Sequence, residues 1–219
     1  MAIAYLLGKG TSKALHTKIN IPLLLVLSIL PDIDIIYDYL TGAEVHRGPT
    51  HSIIVAALIF TPIFIRYGKE AIPYFLALIS HSVIADFIIG GKVQLFWPLT
   101  NQEFGLHELG GVYIDIFNPI NMALEMTLFI IAMLLLYKSG DWKVFFKPNK
   151  LNLVLFIPIV CVLLPSTIGY PFRNSLLFTS PTLAIAHLIF LGLFVIAVYK
   201  TIAEIYRQGL GNKVTNTAV

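Results

Sequence analysis

The sequence predicts an all-α fold, a polytopic integral membrane bundle of about six transmembrane helices in the cell membrane. Of its 219 residues, 57% are hydrophobic and 12% are charged, whereas a soluble domain has about 25% charged residues. Apolar runs recur along the whole chain, so they do not represent a single cleavable signal peptide. We expect one integral membrane domain over 1–219, with a motif region at about 25–100 and C-terminal helices at 112–207.

Six apolar stretches are candidates for transmembrane helices. They are Ile19–Leu40, His51–Ile65, Ile72–Gly90, Pro119–Tyr137, Leu151–Tyr170 and Thr182–Tyr199. A helix needs about 20 residues to cross the hydrocarbon, with about 17 as a lower limit. The second stretch is short and contains Pro62, and the first is interrupted by Pro31, which kinks a helix or starts a new one. The charge pattern therefore has to decide whether all six cross.

Basic residues favour six spans with both termini in the cytoplasm. Twelve of the 15 Lys and Arg residues lie in segments 1–20, 66–70, 138–150 and 200–219. The alternate connections hold one basic residue each: Arg47, Lys92 and Arg173. Under the positive-inside rule, the basic-rich segments face the cytoplasm. The net charge of +3 is small and scattered along the chain, which gives no indication of nucleic-acid binding.

Four polar residues in one short segment indicate a metal site. Asp32, Asp34, His46 and His51 lie within 20 residues at the edge of an apolar chain, where a charged side chain costs about 3 kcal/mol on insertion scales. Two carboxylates and two imidazoles suit a divalent cation. On a continuous helix the two carboxylates would point about 200° apart, so they converge only if Pro31 opens an irregular turn. The alternative is that both acids cap helices or lie at the interface.

The segment from His46 to Ser52 predicts a tight turn that leads into a helix. Gly48 and Pro49 favour the turn, which can bring the imidazoles of His46 and His51 to one point. Arg47 offers a planar fork that matches a phosphate or carboxylate, and a helix N-terminus binds the same groups. We expect Arg47 to be a catalytic clamp, and the alternative is an arginine that extends to lipid headgroups.

His81 and Asp86 are further ligand candidates in the third stretch. Five residues apart, they lie about 140° around a regular helix and cannot share one ligand point. A π-bulge would bring them together, or they serve different positions around the metal. We expect Asp86 to be a ligand and His81 to be a ligand or a partner that orients one.

The start of the fourth stretch carries a polar stripe. Asp115, Asn118, Asn121 and Glu125 fall within a sector of about 120° on a helix, which should face the interior of the bundle. Interhelical hydrogen bonding explains the asparagines. Glu125 is the carboxylate that its position in the stretch would bury most deeply, and we expect it to act as a catalytic base or ligand.

Several of these motifs resemble those of a known family. LPDID, HRGPTHS, SHSVIAD and FWPLT are similar to motifs of the YdjM-type membrane-bound metal-dependent hydrolases, some of which are described as LexA-binding inner-membrane proteins. The resemblance implies metal ligands at Asp32, Asp34, His46, His51 and Asp86. Two features depart from the family: its third motif spaces histidine and aspartate by four residues instead of five, and no histidine precedes His16 here.

Together these features predict a metal-dependent hydrolase. A metal polarises a phosphoryl or acyl oxygen and lowers the pKa of water. Oxygen and imidazole ligands suit zinc, manganese or iron(II) without separating them. We expect the substrate to be a lipid or lipid-linked (phospho)ester at the extracytoplasmic leaflet. The alternatives are an ion-coupled transporter or channel and a non-catalytic membrane scaffold with a structural metal.

Overall fold

The computed structural model describes residues 1–43, 45–89, 91–169 and 175–216. Within these ranges the chain is helical and contains no strand, and Val93 and Phe104 form an isolated bridge. The all-α prediction is therefore confirmed. Gly90, Tyr170 and Arg173, which the sequence analysis used, lie outside the described residues.

The first half of the chain consists of short helices separated by irregular turns. They are α1 (Ala2–Leu15), α2 (Ile21–Leu27), α3 (Asp34–Thr41), α4 (Ile53–Tyr67) and α5 (Ile72–Ser80). Short 3₁₀ helices occupy Leu30–Ile33, Pro49–His51 and Gly68–Ala71. A π-helix at His81–Asp86 continues directly from α5.

The second half contains the longest helices. They are α6 (Pro119–Lys138), α7 (Phe156–Pro158), α8 (Leu164–Ile168), α9 (Leu176–Thr179) and α10 (Pro181–Asn216). Two 3₁₀ segments at Asp141–Phe146 and Lys150–Leu155 and a π-helix at Ile159–Leu163 complete it. The 3₁₀, α and π turns between Lys150 and Ile168 form one continuous helical rod.

Three helices in the described part are long and apolar enough to cross a membrane, judged by length and composition. They cover Pro119–Lys138, Lys150–Ile168 and Pro181–Gly209, and they match the last three predicted stretches. The structure thus gives three such helices where the sequence predicted about six. The 3₁₀ turn with Pro31 follows α2 and divides the first stretch. The helix α4 begins after its Ser52 cap and has 15 residues, which is as short as the second stretch itself.

A shared core holds the two halves together. Side chains of α2, α10 and the 3₁₀ segments, including Leu24, Phe145 and Phe194, are completely buried in it. Next to this core, the Lys9 ammonium donates to Asp141 Oδ2 at 2.6 Å. Burial acts to raise the pKa of Asp141, but the hydrogen bonds that it accepts, chiefly from Lys9, outweigh burial and lower that pKa. The middle of α1 is therefore fixed beside the C-terminal end of α6.

Candidate metal site

Four ligand-type atoms from three separate segments converge at one point. His81 Nε2 lies 3.0 Å from Asp32 Oδ1 and 3.2 Å from Asp86 Oδ2. His51 Nε2 lies 3.5 Å from Asp32 Oδ1 and 3.3 Å from Asp86 Oδ2. The three segments are the 3₁₀ turn Leu30–Ile33, the 3₁₀ turn Pro49–His51 and the π-helix. They bring two imidazoles and two carboxylates together.

The four histidine-to-aspartate distances suit a small divalent cation. Metal bonds of about 2.0–2.2 Å from imidazole nitrogen or carboxylate oxygen place tetrahedral ligand atoms about 3.3–3.5 Å apart. The measured distances run from 3.0 to 3.5 Å. His51 Nε2 and Asp86 Oδ2 are also buried and make no hydrogen bond, and such an unsatisfied group costs about 1–3 kcal/mol. A cation between them would satisfy both.

Hydrogen bonds on the far side of each ring direct the Nε2 atoms inward. His81 Nδ1 lies 3.0 Å from the Ser28 carbonyl oxygen, which can only accept, so Nδ1 carries a proton. His51 Nδ1 lies 3.0 Å from Thr50 Oγ1, whose hydroxyl donates to Asp34. In each neutral ring the Nε2 lone pair therefore faces carboxylate oxygen. This arrangement is typical of histidines that bind a metal through Nε2.

Pro31 explains why the Ser28 carbonyl is free to hold His81. In a 3₁₀ turn the N–H of residue 31 would donate to the carbonyl of residue 28. Proline has no N–H, so this acceptor remains available at the end of α2. The sequence analysis missed Ser28, although the position of Pro31 three residues later was a usable signal.

The π-helix brings His81 and Asp86 together across their five-residue spacing. Its i→i+5 hydrogen-bonding pattern places residues five apart on one face, and His81 Nε2 and Asp86 Oδ2 are 3.2 Å apart. The geometry that the sequence analysis required for a shared point is therefore present. One wide helical turn therefore accommodates the five-residue spacing.

Asp34 lies behind the imidazoles and not among the four converging atoms. Its Oδ1 accepts from His46 Nδ1 at 2.8 Å, and its Oδ2 accepts from the Thr50 hydroxyl and lies 3.3 Å from His51 Nδ1. The two aspartates predicted to converge thus face different sides of the histidines. Thr50 links Asp34 to His51, a role that the sequence analysis did not predict.

His46 forms a second, more open group with two of the same residues. Ligand atoms of Asp32, His46 and His51 all lie within 4.8 Å of one another, as do those of His51, His81 and Asp86. The His46 side chain is 34% exposed, whereas that of His51 is completely buried. The two groups share His51, so the described candidate ligands form one cluster with His46 at its solvent side.

Arg47 contacts the cluster from the outside. Its Nη1 donates to the Gly91 carbonyl at 2.8 Å, and its Nη2 lies 3.4 Å from Asp86 Oδ1. The guanidinium therefore holds one carboxylate oxygen while the other faces the two histidines. Its backbone φ is +67°, which places Arg47 in the left-handed region within the turn. These contacts hold the side chain close to the site.

Glu125 belongs to neither ligand group of the described residues. It lies in α6, half-buried beside Asn121, and interacts electrostatically with the Met1 amino group. The Met1 amino group also interacts with Asp32. The structure thus does not bring the Glu125 carboxylate to the converging atoms.

Backbone carbonyls of Leu95 and Trp97, at the start of the FWPLT segment, fix the turn that carries His51. The Ser52 hydroxyl donates to the carbonyl oxygen of Trp97 at 2.6 Å, and the Ile53 N–H donates to that of Leu95 at 2.9 Å. These bonds hold the N-terminus of α4 against the loop after the π-helix. The sequence analysis used this segment only as part of the resemblance and missed its structural role.

One comparison with known proteins gives a match. A model of the YdjM inner membrane protein family matches residues 1–172, a longer part of the chain than the motifs alone suggested. All eight predicted site residues fall within this range. No curated protein and no solved structure matches the chain significantly.

Proposed function

We propose that this chain, which belongs to the YdjM inner membrane protein family, is a membrane-embedded metal-dependent hydrolase. The observation that carries the proposal is the convergence of two imidazole nitrogens and two carboxylate oxygens at 3.0–3.5 Å. A donor set of nitrogen and oxygen suits zinc, manganese or iron(II).

Each residue has a distinct role in this proposal. His51, His81, Asp32 and Asp86 would hold the metal, and His46 extends the donor set toward solvent. Asp34 keeps the Nδ1 protons of His46 and His51 in place, and Arg47 fixes the Asp86 carboxylate. When bound, the metal supplies Lewis-acid polarisation of an ester oxygen and a lowered pKa for water.

The proposed substrate is a lipid or lipid-linked (phospho)ester. A site placed among the helices of a membrane protein meets amphiphilic substrates that reach it from the bilayer. Arg47, which is 28% exposed at its side chain, is the cation closest in sequence to the ligands and suits the charge of a phosphoester. Glu125 remains our second candidate for a catalytic group because it and Asp32 both interact electrostatically with the Met1 amino group.

A non-catalytic scaffold with a structural metal is the second candidate function. Structural zinc sites use four protein ligands, whereas catalytic sites keep one position open. The four converging atoms come from three turns, which a metal would bind together. The more exposed His46 favours the hydrolase, because it gives the cluster an accessible side. A transporter is less well supported, because both described ligand groups share His51 and form no path across the chain.

We first predict that the purified protein contains about one tightly bound divalent metal per chain. Asp86→Ala or His51→Ala should abolish this binding because each removes a converging atom. Asp34→Ala and His46→Ala should weaken it by about 10–100-fold, as is typical when a partner that orients a ligand is lost. Metal analysis after chelator-free purification measures the effect.

His107→Ala is the matched control, because His107 is an exposed histidine outside both groups. Equal metal content in His51→Ala and His107→Ala proteins would contradict the site. A phosphoesterase and acyl-esterase screen in lipid micelles, with and without added metal, then separates the hydrolase from the scaffold. Metal-loaded protein without activity on any lipid ester favours the scaffold.

The second prediction concerns Arg47→Lys once a substrate is found. If the guanidinium binds the substrate phosphate, the change should lower turnover ten-fold or more at matched metal content, about 1.4 kcal/mol of transition-state stabilisation. Arg66→Lys, at the exposed C-terminal end of α4, is the control and should retain activity. Unchanged turnover in Arg47→Lys would rule out the clamp.

We also propose that both termini are cytoplasmic and that the connection 91–111 is outside. If only the three long helices crossed the membrane, the two termini would lie on opposite sides of it. Our proposal therefore requires that shorter helices of the N-terminal half cross the membrane as well. The 2.6 Å contact between Lys9 and Asp141 supports this, because it brings the N-terminal half to the connection 138–150. Twelve of 15 basic residues on that side agree with it.

The third prediction tests this topology by cysteine labelling in intact cells. In a Cys161→Ser background, Gln102→Cys should react with a membrane-impermeant thiol reagent, whereas Trp142→Cys should react only after permeabilisation. Labelling of Trp142→Cys but not Gln102→Cys in intact cells would show the opposite orientation.

A further inference from the structure

A long apolar groove lies between α2, α4 and α5. It encloses about 880 Å³, within the range of about 300–1,000 Å³ that is usual for ligand sites. Its wall consists mainly of aliphatic and aromatic side chains, including Leu23, Leu27, Ile59, Phe60 and Ile63. These side chains offer a ligand packing contacts and few hydrogen bonds.

One end of the groove lies beside the metal-site cluster and is lined by residues adjacent to its ligands. Pro31, Pro49 and Thr50 line this end, and Pro31 directly precedes Asp32. The Thr50 hydroxyl donates to Asp34 and lies 3.0 Å from His51 Nδ1. A molecule that fills the groove would therefore end next to the residues that hold the histidines.

The opposite end of the groove is polar. Lys18, Tyr67 and Glu70 line it, and all three side chains are exposed. The groove follows α4, whose 15 residues extend about 22 Å at 1.5 Å per residue. That length is a large part of the hydrocarbon thickness of about 30 Å. The groove thus has an apolar middle of membrane dimensions and a polar group at each end.

We propose that this groove binds the alkyl chain of a membrane lipid whose ester group lies at the metal-site cluster. The inference rests on the proposed hydrolase function for the position of the ester, and it narrows the substrate to a chain-bearing lipid. An alkyl chain suits the wall because it has no polar groups to satisfy. A peptide in this groove would leave backbone N–H and C=O groups without partners, which is costly in an apolar environment. A second copy of the chain is the competing occupant.

Photo-crosslinking tests the groove without requiring hydrolysis. The probe is a phospholipid with a diazirine in its palmitoyl chain, and labelled peptides are located by mass spectrometry in detergent-solubilised full-length protein. Label should map to groove residues of α2 and α4. Ile59→Trp and Ile63→Trp fill the groove and should each reduce that label about ten-fold. Ile65→Trp is the control, because Ile65 is 82% exposed on the same helix and does not line the groove.

The outcomes separate this inference from the proposed hydrolase. Groove labelling that persists in metal-free Asp86→Ala protein supports the groove even if no esterase activity is found. Lipid hydrolysis with label outside the groove, or equal label in wild type and folded Ile59→Trp and Ile63→Trp proteins, overturns the groove and leaves the hydrolase standing. Loss of a dimer in both groove variants, with unchanged label, would assign the groove to a second copy and also overturn the inference.

Discussion

The negative charge of two buried carboxylates has to be compensated, and the rest of the site depends on this constraint. The side chains of Asp32 and Asp86 are only 14% and 12% exposed, and unpaired charges in such surroundings are costly. Two histidines face them, each held by a neutral or acidic acceptor on its other nitrogen. Protons on both rings or one divalent cation can neutralise this arrangement. The distances and the two unsatisfied atoms fit the cation, and the metal proposal follows from that fit.

Irregular backbone is what makes this compensation possible. Pro31 ends the regular hydrogen bonding after α2 and leaves the Ser28 carbonyl for His81. The turn at Gly48 and Pro49 delivers His51, and the loop carbonyls of Leu95 and Trp97 hold that turn in place. The π-helix places Asp86 opposite both rings. The turn at Pro31 also divides the first predicted span, whereas the π-helix continues α5. One feature that builds the site is therefore also the one that interrupts a predicted span.

Sequence reasoning identified the segments of the site better than the role of each residue. The charge cost at an apolar edge identified Asp32 and His51, and the spacing of His81 and Asp86 indicated that these two could share one point only through a π-bulge. It could not place Asp34 behind the rings, because which ring nitrogen faces a carboxylate depends on contacts from distant segments. The Ser28 carbonyl and the Thr50 link depend on tertiary contacts in the same way.

For the fold, the sequence did not predict the number of long membrane-crossing helices correctly. Hydropathy measures how apolar a stretch is, but it does not indicate where helical hydrogen bonding ends. The stretch Ile19–Leu40 is apolar throughout most of its length, yet it contains two helices and a 3₁₀ turn. The helical content and membrane character followed directly from composition, and the family match over 1–172 agrees with the motifs that suggested it.

X-ray absorption spectroscopy of the purified protein tests the central claim most directly. The structure predicts a metal bound by at least two imidazole nitrogens and two carboxylate oxygens at about 2.0–2.2 Å, without sulfur. Multiple-scattering features of imidazole should be lost in Asp86→Ala protein together with the metal. A metal surrounded only by water oxygen, or one bound through sulfur, would contradict the account.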